Sequence, residues 1–366
     1  MFIFVTYSII LMAKVSFQHR NTSFYDDIKK SVDEYFNEKK VKSTGNMQLY
    51  TKLFVLITAA IALYVFLVFF NTSIAAGIFG SALMGFTLAC IGFNVMHDAC
   101  HGAYSDKKWL NETLGLSLNA MGGNAYIWKQ KHNIIHHTYT NIDGIDDDIA
   151  KMPFIRQCPT QSRLGMHKYQ HFYSVFLYML ASIMWVFMFD FLKYFNAKVQ
   201  KTSFKKMDTR EHVIFWVSKV FYIVVYIALP VYFIGWQYWL TGFLVLHAVM
   251  GLTLAMVFQL AHVVEITHFE EAKTDDLKLE NEWAVHQVLT TANFATENKI
   301  VSWFLGGLNF QVEHHLFPRV SHVHYPGISK ILKAHCEKHN VRYNTFPTMT
   351  EAVISHFRFM KQLGKA

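Results

Sequence analysis

Four apolar stretches, arranged as two close pairs, limit what this chain can fold into. Residues Thr51 to Phe70 and Ile74 to Asn94 form the first pair, and Val213 to Ile234 and Trp236 to Ala261 the second. Each is about as long as a helix must be to cross roughly 30 Å of hydrocarbon. Lys52 is the charged residue of the first pair. The second holds only Lys219 and His247 as ionisable groups, and Lys219 is near enough to an end to snorkel. The links Asn71 to Ser73 and Gly235 are short, so each pair reads as a hairpin. At 366 residues the length alone allows one large domain or two, but the distribution of the 52% apolar residues favours one membrane domain.

Histidines gather in the polar segments beside these runs. The chain has 20, so one H-x-x-x-H pair is expected at random, yet four occur: His97/His101, His132/His136, His167/His171 and His335/His339. Histidines four apart share a helix face, where two imidazole nitrogens can converge on one ion. His137, five residues from His132, is turned away from that face, as expected if one helix serves two neighbouring metals. The last pair sits in the charged stretch Lys-Ala-His-Cys-Glu-Lys-His-Asn and reads as a solvated helix face. His167/His171 reads as interfacial packing. His262 ends the fourth run and emerges beside His97 by parity, with Gln259 and Glu265 as its candidate supports. His247, mid-span, reads as packed or hydrogen-bonded within the bundle.

The links between paired runs carry no Lys or Arg, whereas the amino-terminal segment, the middle stretch and the last hundred residues do, which places those three in the cytoplasm. The net charge of +8 and pI near 9.1 follow from this bias, with attraction to anionic lipid secondary and nucleic acid excluded. A fifth apolar stretch, Phe172 to Phe195, is long enough to cross. A single crossing there would put His314–His315 on the far side of the membrane from His97 and His132, so it is expected to lie in or against the interface. The expected architecture is an all-α integral membrane protein: four transmembrane helices in two hairpins, in-plane amphipathic helices, and a cytoplasmic histidine-rich di-metal cap. Its parts are a cytoplasmic segment 1–50, a membrane domain 51–357 and a tail 358–366, with both termini and the active site cytoplasmic. Met1 to Met12 reads equally as an upstream mis-start before Met12 or as a short surface anchor. Segment Asn21 to Lys42 reads as a helix. Cys90, Cys100, Cys158 and Cys336 show no C-x-x-C spacing, which argues against disulfides and zinc ribbons.

Three strings, His97-Asp-Ala-Cys-His101, His132-Asn-Ile-Ile-His136-His137 and Gln311-Val-Glu-His314-His315, resemble the histidine boxes of the integral-membrane fatty acid desaturases. The stretch from Trp303 through Gly306-Gly307 to Pro318 resembles the front-end subgroup, which places a double bond on the carboxyl side of existing ones. His137-Thr-Tyr-Thr-Asn141 and Asp146-Asp-Asp148 are also similar to the family, and the likeness extends from about Tyr25 to Phe357. The resemblance implies two iron ions, O2 as co-substrate, removal of two hydrogens from an acyl chain, and electrons from a separate protein. It assigns the metals to His97, His101, His132, His136, His137, His262, His314 and His315. Asp98, Glu313 and the Asp146 to Asp148 run are candidates to orient ring N–H groups. Gln311 stands where most desaturases have histidine and is expected beside the metal ligands. Phe258 stands where the acyl-CoA nine-position enzymes have asparagine.

No His-Pro-Gly-Gly haem motif is present, so no haem is expected in this chain and the donor is expected to be a ferredoxin or cytochrome b5 type polypeptide. The expected substrate is a fatty acyl chain on coenzyme A, phospholipid or a carrier protein. A di-iron lipid or alkane hydroxylase is the competing enzyme, since the same boxes can return oxygen to the carbon. A membrane metal transporter is the non-enzymatic rival; it would place ionisable ligands along its spans, where this chain has His247 mid-membrane.

Overall fold

The computed structural model describes residues 15–18, 23–71, 73–150, 152–200, 202–203, 205–272 and 278–365. The expectation for Met1 to Met12 lies outside them. Five helices are long and apolar enough to cross a membrane: α2 (Met47–Phe70), α3 (Ile74–Cys100), α5 (Gly165–Asn196), α6 (Thr209–Ile234) and α7 (Trp236–His262). Ahead of them stands α1 (Phe24–Lys39), and between α3 and α5 a helix, α4, spans 125–139. The carboxy-terminal third adds α8 (Trp283–Thr290), α9 (Gln311–Leu316), α10 (Tyr325–Lys338) and α11 (Met349–Lys365). Two-residue strands pin loops together, as where Ile142–Asp143 pairs in parallel with Glu270–Glu271 and Asn293–Phe294 with Thr345–Phe346.

Local chemistry starts these helices where they start. The Asn46 side chain accepts from Gln48 N at 3.0 Å ahead of α2, and Asp208 accepts from Glu211 N at 2.9 Å ahead of α6, each satisfying an amide that the first turn leaves unpaired. Phe54, Ile61, Phe70, Val217 and Tyr232 are exposed on the outer faces, as suits helices solvated by hydrocarbon. The inner pair is α3 with α7. Gly85 on α3 has no side chain to hold off the Leu246 backbone of α7, and a Cβ at Gly251 on α7 would sit 2.7 Å from the Tyr178 carbonyl of α5. Glycine at these two places lets three helices touch backbone to backbone.

Two lysines of the spans are buried, one of them against expectation. Lys219 does not snorkel. It is buried in α6, where its Nζ meets Asp190 of α5 at 3.1 Å and donates to the Gly122 carbonyl at 2.6 Å. Lys52 is buried too, donating to Asn94 Oδ1 at 2.9 Å and lying 3.0 Å from His322 Nε2. A buried cation needs such partners because transfer out of water is costly.

The ends of the chain close over the histidine-bearing side. Phe24, Ile28 and Val32 of α1 pack with Ile328, Leu332 and Cys336 of α10 and with Val312 and Leu316 of α9. Packing also continues beyond residue 357. Phe359, Met360 and Leu363 are buried on α11, and His356 Nδ1 meets the Val263 carbonyl at 2.7 Å, so 358–365 completes a packed helix where a tail was expected. The physical reason is an amphipathic pattern whose apolar stripe runs to the last turn. The two ends of α5 contact a single stretch of chain: Gln170 Oε1 accepts from Arg156 N at 2.9 Å, and Lys193 meets Asp147 at 2.9 Å.

The Lys219–Asp190 pair generates a stability prediction. Lys219→Ala leaves a buried carboxylate without its cation and is expected to destabilise the fold by about 3–5 kcal/mol, while Lys219→Met with Asp190→Leu recovers most of the loss. Thermal unfolding of detergent-solubilised protein measures both. Equal loss in the single and double variants would show that the pair contributes through packing alone.

Candidate metal centre

All eight expected histidines are buried and converge on one place. Donor nitrogens of His97, His101, His132 and His314 lie within 4.8 Å of one another, and those of His136, His262 and His315 form a second such group. His137 lies between the two, its ring centroid 4.5 Å from His314 and 4.4 Å from His315, with Nε2 3.2 Å from His132 Nε2.

Four elements deliver these rings. The last turn of α3 carries His97 and His101, joined by an ordinary turn in which His101 N donates to the His97 carbonyl at 3.1 Å. His262 ends α7, and α9 supplies His314 and His315. The α4 histidines depart from the expected partition, in which His132 and His136 shared one face and His137 turned away. Residues Gln130–His136 are wound as a π-helix, whose bonds run from i to i+5. The wider turn brings His132 and His137 together and sends His136 to the other group. One helix still serves both groups, with the members reassigned by the winding.

Nε2 of His97, His101, His136, His262, His314 and His315, and Nδ1 of His137, are buried without a hydrogen-bond partner among the described residues. So many unpaired imidazole nitrogens facing one another would be costly in a packed interior. Bound cations satisfy them, and an all-imidazole donor set suits iron, zinc or copper. Protonation does not compete: burial first, then repulsion between neighbouring rings, holds His101, His132, His137, His314 and His315 well below the usual imidazole range, so their lone pairs are free. For His136 burial acts the same way but is outweighed by the Asp146 and Asp148 carboxylates, which hold it above that range.

The far nitrogens of several rings are fixed. His136 Nδ1 meets Asp146 at 3.0 Å and Asp148 at 3.2 Å. His315 Nδ1 lies 2.8 Å from Gln287 Oε1 and 3.2 Å from Thr140 Oγ1. His314 Nδ1 meets the Tyr325 hydroxyl at 3.1 Å, and His262 Nδ1 faces the Thr290 carbonyl at 3.4 Å. Gln287, Tyr325 and Thr290 carry no sequence signal near a histidine box; Thr140 lies in the His-Thr-Tyr-Thr-Asn string. Trp128 stacks on His132 with centroids 4.3 Å apart.

Three expected supports are placed differently. Asp98 accepts from Ser321 Oγ at 2.7 Å and meets His322 Nδ1 at 3.0 Å, so it ties the first box to the segment after the third. Glu313 accepts from Asn293 at 2.8 Å and Tyr343 at 2.6 Å. Glu265 lies 3.6 Å from Arg358 and accepts from Gln362. In each case the carboxylate bonds groups outside the cluster of eight rings. Gln311 is buried and donates to the Leu308 carbonyl at 2.9 Å.

The remaining histidine pairs have their own partners. His335 Nε2 meets Ser31 Oγ at 2.9 Å and His339 Nε2 meets Asp27 at 3.1 Å, which makes this face of α10 a half-buried contact with α1, not the expected solvated one. Lys338 also donates to Asp27, at 2.9 Å. His167 is buried against the Pro153 carbonyl. His247 bonds the Tyr222 hydroxyl at 2.6 Å and Ser182 at 2.9 Å.

A narrow apolar cavity leads to His97 between α3 and α7, lined by Leu88, Gly92, Met96, Met250, Leu254 and Phe258 among others. The site can therefore hold metal beside a small apolar hollow of about 20 Å³.

Comparison with known proteins agrees. The sequence profile described as fatty acid desaturase matches residues 72–347. The chain is 33% identical to the sn-1 linoleoyl-lipid 6-desaturase of Synechocystis sp., covering 92% of this chain and 94% of that one. It is 32% identical to the sn-1 linoleoyl-lipid 6-desaturase of Arthrospira platensis (96% and 95%), and 34% identical to the acyl-lipid (8-3)-desaturase of Physcomitrium patens (94% and 72%). The buried imidazole groups, the apolar path to them and these relatives together place the chain in the fatty acid desaturase family.

Proposed function

We propose that this desaturase uses two irons to introduce a cis double bond into an already unsaturated acyl chain, between the existing bonds and the carboxyl end. The observation that carries the reading is the pair of imidazole groups joined through His137 at the end of the apolar cavity. His97, His101, His132 and His314 would hold one iron and His136, His262 and His315 the other, with His137 beside both. When bound, the irons supply activation of O2 for removal of two hydrogens from the acyl chain. The protein's part is orientation and exclusion. Leu88, Met96, Met250, Leu254 and Phe258 line an apolar hollow beside His97, and such a lining would keep water from the reacting carbons. Asp146, Gln287, Thr140 and Tyr325 hold the rings so that their free nitrogens stay convergent. The names of the relatives, two acting on linoleoyl lipid and one an acyl-lipid enzyme, support a lipid-bound substrate. Electrons come from a separate one-electron carrier of ferredoxin or cytochrome b5 type.

The topology we infer has four crossings, with both termini and the metal centre cytoplasmic and α5 held on the metal side. Supporting this, residues at both ends of α5 bond the 147–156 stretch that follows the second histidine box. Cysteine labelling in intact cells and inverted vesicles tests it. Probes at Gln200 and Lys330 are expected to react from the cytoplasm and one at Ser73 from the other side; opposite accessibility of Gln200 and Lys330 would add a crossing at α5.

Protein purified anaerobically is expected to contain two irons. Asp146→Asn, which keeps the size but removes the charge on His136, is expected to weaken iron retention by about 10–100-fold. His335→Ala, in a cluster that α1 already satisfies, is expected to keep the full complement. One metal per chain, or zinc with no iron-dependent turnover, would remove the two-iron assignment. Expression in a host supplied with linoleate, followed by mass-spectrometric location of double bonds, tests the reaction. A new bond on the carboxyl side is expected, a bond on the methyl side would overturn the regiochemistry, and hydroxylated product alone would point to a hydroxylase. Alanine at His97, His132, His136 or His315 is expected to abolish the product.

A further inference from the structure

A second cavity, of about 270 Å³, lies between the same helices at the end away from the histidines. Its α3 wall is Gly77, Ser81 and Met84, and its α7 wall Gly242 and Leu246, while Leu67, Tyr226 and others from α2 and α6 complete it. The α3 and α7 stripes that line it continue, turn by turn, into those of the metal-side cavity at Leu88, Gly92, Met250 and Leu254. The two cavities are thus the two splayed ends of one helix crossing. Where the helices meet, the Leu246 backbone closes on Gly85, and Met84, Leu88, Leu246 and Met250 form an apolar layer between the cavities. That layer stands about 14 to 20 Å from His97 along α3 at 1.5 Å per residue.

We propose that the outer cavity is a structural lipid site, which takes one hydrocarbon tail of a phospholipid from the leaflet opposite the metal centre and is separate from the path of the acyl substrate. Its chemistry is graded in the way an amphiphile requires. Side-chain polar groups gather at the hairpin turns, where Asn71, Gln237 and Tyr238 stand at the depth of a headgroup. Deeper in, the Tyr64 hydroxyl donates to the Val225 carbonyl at 2.7 Å and the Trp239 indole to the Tyr226 carbonyl at 2.8 Å, so these aromatic groups present carbon to the interior. Of the lining aliphatic hydroxyls, that of Thr241 donates to the Gln237 carbonyl at 3.1 Å, which leaves Ser81, and one such group falls short of the two to four polar partners that a buried water needs. A tail gains dispersion contacts there instead, and its end rests on Met84 and Leu246. Exposed Phe69, Phe70, Ile74, Tyr232 and Phe233 around the mouth make hydrocarbon the surrounding medium.

Photocrosslinking of the full chain in nanodiscs tests this. The probe is a phosphatidylcholine with saturated chains and a diazirine at the end of one of them, and adducts are located by peptide mass spectrometry. Adducts on buried Met84 or Leu246 are expected, alongside adducts on outward-facing Phe54 and Val217. Ser81→Leu narrows the cavity while Gly242, where a Cβ would already lie 2.8 Å from Ser81 Oγ, is left unchanged, and it is expected to abolish the Met84 and Leu246 adducts while those on Phe54 and Val217 persist. Adducts confined to outward residues in the unaltered protein, a result needing no variant, would overturn the proposal. So would loss of the Met84 and Leu246 adducts on adding excess linoleoyl lipid, since that would make the cavity the far end of the substrate path. The desaturase assignment stands or falls on product analysis and is untouched by either result.

Discussion

Burying eight imidazoles against one another is the constraint from which the rest of this structure follows. Each ring has two nitrogens, and a packed interior tolerates few of them unpaired. The fold meets part of this demand with protein partners: Asp146 for His136, Gln287 and Thr140 for His315, Tyr325 for His314 and the Thr290 carbonyl for His262. The other nitrogens are left facing inward, and cations are the groups that complete them. Orientation from outside and coordination from inside are one requirement, because a ring free to flip would present the wrong nitrogen.

The membrane helices serve the same end. Helices α3 and α7 deliver His97 and His262 from neighbouring ends, and close contact at Gly85 sets how far apart those ends stand. The chain of buried polar groups Lys52–His322–Asp98 then fastens α2, the end of α3 and the segment after the third box to one another. It touches none of the donor nitrogens, yet it governs where their backbones lie.

Much of this was legible in the residue order. The five long helices fall where apolar runs of span length occur, and the histidine boxes identified the rings that meet. The details that escaped are those that residue spacing does not encode. An α-helical period for 130–139 pairs His132 with His136, and only the π-winding of that segment pairs it with His137. Asp98 and Glu313 are adjacent in sequence to ligands but bond other groups, whereas Gln287 reaches His315 from 28 residues earlier and Tyr325 reaches His314 from 11 residues later, with no local signature at either. Lys219 read as a residue that would reach for water, because its partner Asp190 lies on another helix. Helix phase and long-range pairing are tertiary properties, and sequence proximity is a poor guide to both.

The division of the rings between two groups has a consequence for biosynthesis. Each group takes a member from α4 and a member from α9, and α9 begins near the end of the polypeptide. Neither group is complete while the ribosome is still making the first three-quarters of the chain, even with both hairpins inserted. Completion of both groups is therefore one late step: until α9 docks, the first has His97, His101 and His132 without His314, and the second has His136 and His262 without His315.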